Sequence, residues 1–171
     1  MTVPGIVRAL EQAEPFRDAL AAASVDADFS LVEGLGAPAL AALLQRRGAA
    51  GHPPCLFVVA PTGRRAEAVG PALSALVPGV EVLDFPAWET LPHERLSPSA
   101  EIVGRRLDTI RRIALWDGST PLVVTASVRA ALQPMASGLA DVPPVRFVVG
   151  ERGFDLGEIT RRMVELAYAR V

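Results

Sequence analysis

Two glycine-bearing turns are the first places in this sequence where chemistry is conceivable. The stretch "LVEGLGAPALAALL", residues 31–44, has Gly34 and Gly36 just ahead of a helix-like run. A strand, a glycine turn and a helix N-terminus together make a phosphate cradle. A working phosphate loop reads G-x-x-x-x-G-K-[ST], and its lysine reaches the β/γ-phosphates. Here Ala37, Pro38 and Ala39 follow the second glycine, and Pro38 has no N–H to offer. A second turn, "APTGRR", has one glycine and Arg64 but again no lysine. All 17 basic residues are arginine, so no lysine is available anywhere for a phosphate, a Schiff base or a nucleophile. The turn at Gly34, Gly36, Ala37 and Pro38 therefore reads as a degenerate phosphate loop, and the chain as holding no cofactor. A nucleotide-dependent α/β enzyme using either turn is the alternative.

Other chemistry is thinner. His52, His93 and Cys55 are the only imidazole and thiol groups. A structural zinc site needs four such donors, so no metal site is expected. No G-x-S-x-G elbow is present. His93 lies between Glu89 and Glu94 and is a candidate general base, set against a plain exposed histidine. Two arginine pairs, Arg105-Arg106 and Arg111-Arg112, fall in a helix-like stretch at 97–116. A DNA-binding module neutralising phosphates with that helix is a further alternative, although Glu101 and Asp108 dilute the charge. Arg152, Arg161, Arg162 and Arg170 form a second basic set. Arginine's planar fork suits partner carboxylates, which makes this set a candidate protein interface. No catalytic residue set emerges.

Elements that would carry these residues follow from the pattern. "PGIVRALEQAEPFRDALAAAS" predicts a helix or two short ones broken near Pro15. "DFSLVEG" predicts a short strand, and "APALAALLQRRG" a helix closed by Gly48. "CLFVVAP", "VEVLDF" and "PLVVTA" predict buried strands. The first two are separated by a helix that Thr62 starts and Pro71 kinks. Ser97 is the expected cap of the 97–116 helix, with Pro98 in its first position. Its apolar stripe is Ile102, Val103, Leu107, Ile110, Ala114 and Trp116. Alternating strands and helices imply an α/β fold with a parallel sheet flanked by helices. Gly138, Pro143 and Pro144 mark a composition change. Beyond it, "VRFVVG" predicts a strand, and "DLGEITRRMVELAYARV" a helix with an Asp155/Glu158 capping box and a Leu156, Ile159, Met163, Leu166 stripe. The expected division is 1–133 for a first domain and 134–171 for the start of a small α+β second domain, cut short.

The chain has 171 residues and a formal net charge of -2, so no global field draws it to nucleic acid or membrane. No run is apolar enough to cross a bilayer, and the N-terminus lacks a signal-peptide core. One cysteine excludes an internal disulfide and fits a reducing, cytoplasmic setting.

One stretch remains, "FPAWETLPHERLSPSAEIVGRRL", with three prolines, a tryptophan and alternating charges between strand and helix. It closely resembles the signature of the N-terminal region of bacterial transcription-repair coupling factors. "LVEGLGAPALAALL", "LFVVAPTGRRAEAV", "PLVVTASVRAALQP" and "VGERGFDLGEITRRMVELAYARV" agree with that family in order. The resemblance implies a first domain similar to domain 1A of the excision-repair protein UvrB, with a P-loop-type fold whose ATP site has degenerated. It implies a shortened connection where UvrB carries a DNA-clamping hairpin, which makes Trp88, Arg105 and Arg106 possible partner or DNA contacts. Trp88 and Leu91 are expected to pack back on the domain. It implies a second domain of the type that binds UvrA through basic residues. Arg152 falls at a family contact; near the end Ala169 stands where a basic residue is expected, with Arg170 beside it. In such a family the full protein displaces stalled RNA polymerase and moves on duplex DNA. Separate motor domains bind ATP and Mg for that work, and their motifs are absent from this chain.

Overall fold

The computed structural model describes residues 4–22, 26–90, 97–135, 137–141, 145, 147–150 and 152–165. The fold divides into two compact units, Met1–Ser137 and Gly138–Val171.

The first unit is built on three parallel strands. These are β1 (Cys55–Ala60), β2 (Glu81–Phe85) and β3 (Leu122–Ser127), in the order β1-β3-β2. The central strand is the most buried: every residue of β3 is out of solvent. The register sets Leu56 beside Val123 and Phe57 beside Val124, with Leu83 on the far side of Val124. Successive side chains alternate between faces. One face packs Leu56, Val58, Val82 and Val123 against helices α1 (Pro4–Gln12), α2 (Glu14–Ala22), α3 (Gly36–Ala49) and α4 (Gly63–Leu76). Leu44 and Leu73 are the largest apolar side chains fully buried there. Gly70 of α4 lies against the sheet so closely that a Cβ would stand 3.4 Å from Val82 Cγ1. The other face packs Leu83, Leu122 and Val124 with Cys55, Phe85 and Trp116. Helix α5 (Ala100–Leu115) lies by β2, tied there by Thr109 Oγ1 donating to the Asp84 carbonyl at 2.8 Å. The short α6 (Val128–Leu132) follows β3 directly.

The α/β expectation holds, but several local readings need correction. Residues 28–32 form no strand, and a 3-10 turn, Glu33–Leu35, leads into α3. Phe29 and Leu31 have the right alternation but stand more than 40% exposed, with no neighbouring strand among the described residues to complete their backbone bonds. The first helix breaks at Ala13, with Pro15 in the first turn of α2, where its missing N–H costs nothing. Helix α3 runs through Gly48 to Ala49, and the chain turns away at Gly51, whose φ of 76° suits only glycine well. Thr62 does cap α4, accepting from Arg65 N–H at 3.3 Å, and the helix continues through Pro71.

In the second unit residues 147–150 form a turn rather than a strand, closed by Gly150 at φ 90°. Helix α7 (Leu156–Glu165) begins where Asp155 Oδ1 accepts from Gly157 N–H (2.7 Å) and Glu158 N–H (3.2 Å). Of the expected stripe, Ile159 and Met163 are half-buried, Leu156 is 78% exposed, and Leu166 lies outside the described residues.

Candidate functional site

The connection from β2 to α5 is held at its near end by residues far away in sequence. Trp88 N–H donates to Gln133 Oε1 at 2.6 Å, and Gln133 Nε2 donates back to the Trp88 carbonyl at 3.3 Å. Arg129 of α6 donates to the carbonyls of Glu89 (3.3 Å) and Thr90 (3.4 Å). At the far end, Ser99 N–H and Oγ–H both donate to the Glu89 carboxylate, at 2.9 and 2.8 Å. Ser99 Oγ then accepts from Ile102 N–H at 3.4 Å. Ser99, not Ser97, is thus the cap of α5, because a carboxylate ten residues upstream fixes it. These bonds favour the ionised form and hold Glu89 below the ordinary carboxylate range. Leu91, His93 and Glu94 lie outside the described residues.

Arg106 is the largest side chain wholly removed from solvent. Its guanidinium carbon sits 3.9 Å from the centre of the Phe85 ring and 4.3 Å from that of Trp88. Nη1 donates to the Pro86 carbonyl (2.6 Å) and Nη2 to Met135 Sδ (2.9 Å), while Nε has no hydrogen-bond partner among the described residues. Burial favours the neutral form and pulls its pKa down. This corrects the reading of Arg106 as a DNA contact: a guanidinium enclosed by two rings reaches no phosphate. The amphipathic reading of α5 shifts too. Its fully buried positions are Arg106 and Thr109, and the apolar stripe is at most half-buried. Planar guanidinium stacks on aromatic faces, so arginine serves as a core residue here.

The neighbouring arginines face acids of the same unit. Arg105 pairs with Asp84 and Arg112 with Glu81, both on β2, and Arg112 also lies 3.8 Å from Asp108. Arg111 is half-buried and engaged as well. Burial is the main influence on Asp84 and raises its pKa, against the lowering effect of Arg105. Trp88, half-buried and stacked on Arg106, packs back on the unit as the resemblance led one to expect.

Residues of both glycine turns are engaged in other contacts. Gly34 lies in the 3-10 turn and Gly36 opens α3, whose first turn buries Pro38 and Ala39. The carboxylate at this turn, Glu33, pairs with Arg65 at 3.3 Å and would oppose an incoming phosphate. At the second turn the Thr62 hydroxyl is occupied in capping α4. A groove of about 390 Å³ does open at the carboxyl ends of the strands, the usual ligand position in parallel α/β sheets. Its charged lining is balanced: Arg105 and Arg129 face Glu67 and Asp84.

In the second unit Arg152 is exposed between two left-handed glycines, Gly150 (90°) and Gly153 (94°), which shape the turn that carries it. Arg161 is exposed on α7, and Arg162 is half-buried and engaged. Arg161 and Arg162 line a cavity of about 560 Å³ with Val145, Phe154, Asp155 and Glu158. Phe147 and Phe154 meet edge to face at 5.6 Å, yet both keep over 40% of their surface exposed. Arg170 lies outside the described residues.

No protein-family profile matches the chain. Over 140 residues, however, it is 45% identical to proteins named transcription-repair-coupling factor in Mycobacterium bovis and Mycobacterium tuberculosis. The match covers 79% of this chain. The chain is related to transcription-repair-coupling factor. It spans only 11% of the length of these curated relatives. The coupling-factor signature around Trp88 acquires a physical meaning from the contacts above, since Trp88, Glu89 and Arg106 fasten one connection. Sequence reasoning missed three of its holders, Arg129, Gln133 and Met135. None carries a local signal: their role exists only because α6 and the segment after it return to the connection.

Proposed function

We propose that this chain is a docking module of a transcription-repair-coupling factor and does no chemistry of its own. In this reading the first unit is a UvrB-like domain that has lost its nucleotide. The second unit belongs to a domain of the type that binds UvrA. The complete protein displaces stalled RNA polymerase from damaged DNA, using motor domains elsewhere that bind duplex DNA, ATP and Mg. It works in the cytoplasm, where its DNA is. The observation that carries the reading is the 45% identity to named coupling factors across most of the chain. The lysine-free mouth of the first glycine turn, the proline buried behind it and Glu33 at its edge support the loss of nucleotide. The exposed Arg152 and Arg161, with Arg162 and Arg170 as the further contacts of the set, support the docking role.

The test is binding of purified UvrA to the coupling factor that contains this region. Charge reversal of Arg152 and Arg161 together should weaken binding at least about tenfold, with stronger effects at low salt. Unchanged affinity in the double variant would remove these arginines from the interface. Equilibrium dialysis of the 171-residue chain with ATP is the companion measurement, with no saturable binding expected.

A further inference from the structure

Trp88, Arg106, Gln133 and Met135 close a ring of contacts within the first unit. The Gln133 side chain grips the Trp88 backbone on both its N–H and its carbonyl. Two residues further on, Met135 Sδ accepts from Arg106 Nη2. Arg106 completes the ring by stacking on the Trp88 indole, with the Phe85 ring also within 4 Å. Each member is held by another member. Gln133 can grip Trp88 only while residues 133–135 stay in place, and Arg106 helps to keep them there. Arg106 in turn is buried with an unpartnered Nε, and none of its described contacts is a carboxylate. A buried charge of that kind is tolerated only while its stacking and hydrogen bonds persist. Loss of one contact therefore weakens the rest.

We propose that Arg106 is a positioning residue that couples the 86–90 connection to the 133–135 segment, so that the two loosen together. Residues 133–135 are the last stretch before the first unit ends at Ser137. A partner that takes hold of Trp88 from outside is consequently felt at that exit. The inference does not depend on which partner this is, nor on the docking reading above.

Hydrogen exchange on the whole 171-residue chain tests it. Trp88→Ala keeps the backbone that Gln133 grips and removes only the ring on Arg106. It should nevertheless raise exchange at the Gln133 and Met135 amides by about tenfold or more, with the central β3 amides unchanged. Arg106→Gln should release both segments, and Arg106→Lys, which keeps the charge without the planar stack, should fall between. If Arg106→Gln also unfolds β3, the Trp88→Ala result decides. Unchanged exchange at 133–135 in Trp88→Ala overturns the proposal, as does release of only one segment in a folded Arg106→Gln.

Discussion

Glu89 shows how a residue's neighbours set its task. The sequence offers it as a partner for His93, yet its carboxylate holds the Ser99 cap of α5. Its pKa is depressed in the folded chain, so its contribution is present above the ordinary carboxylate range and is lost as pH falls through the folded value. Acidification should therefore release the Ser99 amide before the sheet unfolds, visible as an early shift of that amide in an NMR titration. In Glu89→Gln the early shift should disappear. Asp84 behaves oppositely, because burial raises its pKa; any stability it contributes is lost as pH rises, and Arg105 moderates that loss.

At the scale of elements, α4 and β1 make contrasting demands. Leu73 of α4 has no exposed surface and packs in the larger of the two clusters. Leu73→Ala should cost about 2–5 kcal/mol in urea unfolding, the range for emptying a well-packed site. Strand β1 lies at the edge of the described sheet, and Phe57 (57%) and Val59 (46%) are exposed on it. Leu122 N–H donates to the Pro54 carbonyl, so by alternation the backbone of Cys55, Phe57 and Val59 points away from β3. An edge without charge, proline or bulge invites pairing with other chains. The 171-residue chain should accordingly self-associate at high concentration, and Val59→Lys should reduce this in light scattering without lowering the thermal midpoint by more than about a few degrees.

For the whole molecule, the first unit holds both apolar clusters, the sheet and the ring around Arg106. A chain ending at Ser137 should keep the cooperative thermal transition of the full 171 residues, measured by circular dichroism. The described second unit rests on α7, a 3-10 turn at Leu139–Asp141, the turn ending at Gly150 and the Phe147–Phe154 contact, and many of its large apolar side chains stay more than half exposed. Its melting should add little enthalpy, because little apolar surface is removed from water there.

The amino-acid order by itself determined the three strands, the helices between them and the absence of lysine from both glycine turns; the expectation that β1 is buried is corrected by its edge position, which leaves Phe57 and Val59 exposed. Runs such as "CLFVVA" and "LVV" at 122–124 are apolar at every position, and a missing ammonium group needs no coordinates to be noticed. It also carried the coupling-factor likeness. Only the tertiary structure decided that 28–32 stays unpaired, that Ser99 starts α5 and that Arg106 is interior. Each of these outcomes rests on a partner distant in the chain or on the lack of one: a neighbouring strand, the Glu89 carboxylate, the rings of Phe85 and Trp88. Local pattern gives an arginine's charge and helical phase, but burial depends on what folds over it, and long-range contacts leave no period to read.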